Sequence, residues 1–182
     1  MDLLARHLWS LLRDLARALI CYLATAALVG PAIFSVLVTA VFEPAAIPLT
    51  FFGALTISGV GLLTSIATWS FGGLTGAILS ASFLPSLTSA VVHVAASRSH
   101  HRGATVLIVA AVAFGVMAVQ VAVFLVLNVG QPHEIDLLTS RPDGAWFVAT
   151  SAGATALTAG LVASLRRVWE GDTASVRRSV EG

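Results

Sequence analysis

Lysine is absent from this 182-residue chain: all ten basic residues are arginine, and nine acidic residues bring the net charge to +1. Charge of either sign is scarce. Only 10% of residues are charged, where a soluble domain carries about 25%, and 57% are hydrophobic. A balance so close to neutral leaves no electrostatic footprint for nucleic acid. Cysteine occurs once, as Cys21, which excludes an internal disulfide and a cysteine-rich metal site. Cys21 is expected to be a small apolar residue buried in packing. No phosphate-cradling glycine loop, no recognisable Ser, His and Asp set and no paired cytoplasmic carboxylates appear. The chain is therefore expected not to be an enzyme, with no catalytic residue, no metal and no cofactor.

The distribution of charge decides the class. From Ala18 to Ser97 the one formal charge is Glu43, and from Gly103 to Pro132 there is none. Uncharged apolar runs of about 18 residues or more are membrane spans. With a mean hydropathy of +0.93, the chain reads as an all-α, polytopic transmembrane helix bundle embedded in a lipid bilayer. The use of arginine alone, with abundant Ala, Val and Gly, fits a GC-rich bacterial genome and so a bacterial inner membrane.

The order of segments follows from hydropathy. Residues 1–17 have helical period, with Leu4, Leu8, Leu11, Leu12 and Leu15 on one face and Arg6, Arg13 and Arg17 on another. That pattern suits an amphipathic interfacial helix, or a cytoplasmic extension of the first span, with Trp9 at the interface. The apolar stretch Ala18 to Leu23 is too short for the core of a cleaved signal, so the segment is expected to be retained. The transmembrane bundle covers 18–165, with spans at about 18–42, 73–96, 103–130 and 145–165, and a short cytoplasmic tail at 166–182. Gly30-Pro31 is expected to kink the first span, and Pro85 the second.

The segment 45–69 is ambiguous. Hydropathy alone makes it a fifth span. The arginines argue otherwise: clusters at Arg6 to Arg17, Arg98 and Arg102, and Arg166 to Arg178 all fall on the cytoplasmic side if the chain crosses only once between Ala45 and Ser97. Only Arg141 is then outside, as the positive-inside rule prefers. Four spans with both termini cytoplasmic is the leading arrangement, and five spans the alternative. In the four-span arrangement 45–69 is a re-entrant or interfacial segment. Pro44 and Pro48 open it, and "SGVG" at Ser58 to Gly61 supplies a flexible turn.

A turn at that depth would present backbone carbonyls, as selectivity filters do. Ser58, Gly59, Val60, Gly61, Thr64 and Ser65 are accordingly the pore-lining candidates, within a Gly/Ser/Thr segment at 56–70. Small residues four apart mark close helix packing: Gly72, Gly76 and Ser80 form one set, and Ser151, Thr155 and Ala159 another.

Other chemistry is thin. His93, His100 and His101, with His7 expected at the same end, are interleaved with Arg98 and Arg102 and have no carboxylate or cysteine among them. A zinc site generally needs three or four converging ligands. Haem would want histidines within the spans, a position that only His93 approaches. Ion-coupled transporters place charges inside their spans; here the interiors offer only Gln120, Asn128 and hydroxyls, with Glu43 at the edge. His133, Glu134 and Asp136, in the outer loop 131–144, read as a wet turn. The expected function is a non-enzymatic accessory, scaffold or assembly subunit that pairs with itself, as a homo-oligomer, or with another membrane protein. The alternative is a small channel or permease whose path the 56–70 segment lines.

Overall fold

The computed structural model describes residues 2–97, 104–128 and 143–180. Five long α-helices account for nearly all of them: α1 (Asp2–Phe42), α2 (Ile47–Thr68), α3 (Gly73–Ser97), α4 (Thr105–Asn128) and α5 (Asp143–Val180). A single 3-10 turn, Pro44–Ala46, joins α1 to α2. Each of the five helices is long and apolar enough to cross a membrane. In hydrocarbon a helix is one of the few structures that satisfies its own backbone, so runs of this composition have little choice of conformation.

Helix α1 runs 41 residues without interruption, about 60 Å at 1.5 Å per residue. The arginine-bearing segment 2–17 is therefore continuous with the span that follows it. Pro31 sits inside the helix and offers no N–H to the carbonyl of Ala27. Helix α5 likewise continues beyond Leu165, where a short tail is expected, to Val180.

The re-entrant hairpin is not formed. Residues 47–68 make one continuous helix through Ser58, Gly59, Val60 and Gly61. Their carbonyls lie within a regular helix and form no exposed row. Glycine weakens a helix in water by about 1 kcal/mol, but a non-helical turn at membrane depth leaves backbone groups without water to bond them. The helical solution wins. Pro48 belongs to the first turn of α2, where its missing N–H costs nothing. The true reversal comes later. Trp69 takes a left-handed conformation (φ 52°), the Trp69 N–H donates to the Ile66 carbonyl and the Ser70 N–H donates to the Ser65 carbonyl at 3.1 Å. This pattern closes helix ends, usually on glycine.

Contacts fix the directions of the helices. Tyr22 of α1 meets His93 of α3, while Gly30 and Phe34 share a cavity wall with Ile78 and Ser82, so α1 and α3 are antiparallel. Phe34 stacks edge-on against Phe147 at 5.8 Å, and Ala18 lies in one cluster with Val162 and Ala163; α1 and α5 are antiparallel too. Gly160 faces Val106 and Ala110, and Gly144 faces Leu125, which makes α4 and α5 a third antiparallel pair. The first half of α3 thus stands beside the second half of α1. Helix α2 packs mainly on α1, with Gly59 against Leu28, and reaches the start of α3 where Gly61 meets Thr75.

The interior is made of small residues. Ala18, Ala27, Ala32, Ala90, Ala113, Ala152 and Ala163 are buried, while Leu49, Phe52, Leu63, Leu107 and Leu127 are exposed. Large side chains outside and small ones inside are the inverse of a soluble core. Lipid tails solvate leucine as well as a protein interior does, so helices associate through close backbone approach. Cys21 follows the outer pattern. It is exposed, correcting the expectation of burial, because its neighbour Tyr22 takes the inward position and one residue turns the helix by about 100°.

Candidate functional site

A partly open chamber of about 430 Å³ lies between the helices, and all five contribute to its wall. Helix α1 supplies Gly30, Pro31 and Phe34, and α2 supplies Ala54, Ile57 and Ser58. Leu74, Ile78, Ala81 and Ser82 come from α3, Met117 from α4, and Phe147, Ser151, Ala154 and Thr155 from α5. The chamber exists because short side chains on α1, α3 and α5 cannot fill the space that two proline-bearing helices leave between them. Its volume falls within the range of small-molecule sites.

The wall is apolar apart from hydroxyls, and those of its two threonines are engaged. Thr155 donates to the Ser151 carbonyl at 2.9 Å and Thr158 to the Ala154 carbonyl at 2.7 Å. Such bonds return the hydroxyl to its own helix, and the surface it presents is largely methyl. Among the described residues no charged side chain lines the chamber. Water and ions therefore have little to hold them here, whereas an apolar molecule finds dispersion partners on every side.

A smaller void of about 10 Å³ adjoins the chamber, lined by Tyr22, Ala26, Pro85, Ser86, Ser89, Thr155, Thr158 and Ala159. Ala26, Thr155 and Thr158 border both spaces. At its far side the Tyr22 hydroxyl and Nδ1 of His93 are hydrogen-bonded at 3.1 Å, with their rings edge to face at 5.9 Å. Both residues are buried. Ser89 is 1% exposed, and its Oγ has no hydrogen-bond partner among the described residues.

The residues singled out from sequence are scattered. Of the pore-lining candidates only Ser58 borders the chamber. Gly59 and Gly61 are contact points with α1 and α3, Val60 is 60% exposed, Thr64 is exposed with its hydroxyl on the Val60 carbonyl, and Ser65 is buried. The packing set Ser151, Thr155 and Ala159 faces α1 from α5, within the chain. Gly72 precedes α3, Ser80 is exposed, and Gly76 accommodates the Phe71 carbonyl rather than a neighbouring helix. Among the described residues no group of three or more His, Cys, Asp and Glu gathers at one point. His100 and His101 lie outside the described residues, as do His133, Glu134 and Asp136 in the outer loop.

The pairing of Tyr22 with His93 is not read from spacing, since 71 positions separate them. One signal was present: a histidine inside an apolar run needs a buried partner, and Tyr22 is the sole tyrosine. No family model matches the chain, and no curated protein or solved structure does either.

Proposed function

We propose that the chain is a non-enzymatic, multi-pass protein of a bacterial inner membrane that takes an uncharged, mostly apolar molecule into the chamber between its helices. The observation that carries this reading is the chamber itself: five helices converge on a space of about 430 Å³ with an apolar wall and, among the described residues, no charged lining residue. An ion path would need fixed carbonyls or charges facing it. The permease side of the functional alternatives thus gains support over the channel side.

The arrangement in the membrane belongs to the same proposal. α1, α3, α4 and α5 cross with both termini cytoplasmic, while α2 runs back along α1 as far as Leu28 and residues 69–72 lead the chain into α3. Two observations support it. The antiparallel contact of α1 with α3 sets the first half of α3 beside the second half of α1, toward the end where α1 finishes. That end is remote from Arg6, Arg13, Arg17, Arg166 and Arg167, which then share one side.

Purification into lipid nanodiscs, followed by extraction and mass spectrometry, tests the binding reading. The wild-type protein is expected to retain an apolar molecule in excess of bulk lipid, and Ala81→Phe or Ala154→Phe, which fill the chamber, to lose it while keeping their helical circular dichroism. Identical extracts from the wild type and both filled variants would overturn the reading.

A second reading, an accessory or scaffold subunit, draws on α2. Its outward residues Leu49, Phe52, Val60 and Leu63 are all exposed and Ser65 is its one buried residue, so it offers a helix face to another membrane protein or a second copy. A stoichiometric protein in the same preparation, lost on substitution along that face, supports this alternative.

A further inference from the structure

We infer that the Ser89 end of the chamber is a polar subsite for one terminal oxygen, hydroxyl or carbonyl, of an otherwise apolar ligand. The inference rests on the chamber reading above and adds the chemistry of the ligand's head.

The starting point is the hydroxyl of Ser89. It is buried and has no partner among the described residues, although a helical serine can usually return its proton to the carbonyl one turn earlier. That carbonyl, on Pro85, lies 3.0 Å from the Thr88 hydroxyl, which shares its one proton between the Pro85 and Leu84 carbonyls. A buried donor left unmade is costly, and such groups in native structures are met by water or a ligand. The void that Ser89 lines, about 10 Å³, is close to the minimum that holds a single water-sized group. It has room for one oxygen and no chain.

The void adjoins the chamber. Ala26, Thr155 and Thr158 border both spaces, and the inference requires a molecule whose body fills the larger one to place its end group in the smaller across this shared wall. Among the described residues no charged side chain lines either space. A carboxylate, phosphate or ammonium head would enter without a counter-charge, at a cost no nearby group offsets. The head is therefore neutral, and the body is aliphatic or aromatic, as in a lipid-derived alcohol or ketone.

A photoreactive diazirine derivative of dodecanol, applied to the full-length protein in nanodiscs and mapped by mass spectrometry, tests this. Competition by excess dodecanol, methyl decyl ketone, dodecane and dodecanoate reports on the head. Labelling is expected on chamber residues of α3 and α5, reduced at least fivefold by the alcohol or the ketone, with the stronger competitor identifying the oxygen type. Dodecane and dodecanoate should compete poorly. Ser89→Ala should remove the advantage of alcohol and ketone over alkane while leaving alkane competition unchanged, and Ser89→Thr should preserve it.

The failures separate. Equal competition by alkane and alcohol, or a preference that survives Ser89→Ala, overturns the polar subsite and leaves the chamber. Competition by dodecanoate as strong as by dodecanol overturns the neutral head. Absence of chamber labelling in wild type, with labelling confined to lipid-facing positions, overturns both this inference and the reading on which it rests.

Discussion

The hydroxyl of Tyr22 and Nδ1 of His93 meet at 3.1 Å in the buried contact between α1 and α3. This one bond ties two helices separated by 71 positions in sequence and fixes their antiparallel register. Interhelical hydrogen bonds inside membranes contribute about 0.6 kcal/mol on average and up to about 1.7. Tyr22→Phe removes the hydroxyl and keeps the ring, so it is expected to lower stability by about 1 kcal/mol, measured by steric trapping or mixed-micelle unfolding. His93→Leu should change stability no further when combined with Tyr22→Phe than either accounts for through the shared bond. Full additivity of the two would show that the contact contributes nothing as a pair.

The turn between α2 and α3 depends on Gly76. A Cβ there would lie 2.2 Å from the Phe71 carbonyl oxygen, which is backbone and cannot swing away. Gly76→Ala is expected to cost about 1–3 kcal/mol, the usual range for overpacking. Gly115 on α4 has no neighbour within 4 Å of an added Cβ, so Gly115→Ala should be neutral or slightly stabilising. A thermal unfolding comparison of the two in the same detergent checks the contrast, and equal effects would contradict it.

Unfilled space is a reserve of stability. Ala54 and Ala81 border the chamber from α2 and α3, and a larger apolar side chain at either gains contacts that the void denies its neighbours. Ala81→Leu is expected to raise the unfolding temperature of ligand-depleted protein while weakening retention of the apolar molecule. A variant that is destabilised and still retains it would indicate that the space is not where the molecule binds.

How much of this was readable in advance differs by element. Composition and the charge-free runs were sufficient for an all-α chain of membrane-length helices. Helix α3 is observed over Gly73–Ser97 and α4 over Thr105–Asn128. The error over Ser58 to Gly61 came from weighing glycine as a turn former, its role in water, where hydrocarbon favours the helix. The reversal at Trp69 carried no glycine at its left-handed position, so nothing in the local sequence marked it. On α2 the informative pattern was a row of small and hydroxyl residues at helical spacing, Thr50, Ala54, Ser58, Gly61 and Ser65. These positions are buried or half-buried while Leu49, Phe52, Val60 and Leu63 face outward. The chamber was not legible, because it is the gap between residues from five helices. Nor was the isolation of Ser89, since it depends on how Thr88 shares its proton between the Leu84 and Pro85 carbonyls.

The account stands or falls on whether α2 returns the chain to the side it left, and single-cysteine labelling in intact cells asks this directly. In a Cys21→Ser background, Glu43→Cys and Ser70→Cys flank α2. Both are expected to react with an impermeant thiol reagent from outside, and Arg6→Cys only after the cells are opened. If Ser70→Cys is protected until opening while Glu43→Cys labels at once, α2 is a full crossing. The antiparallel pairing of α1 with α3, and the chamber built on it, would then be contradicted.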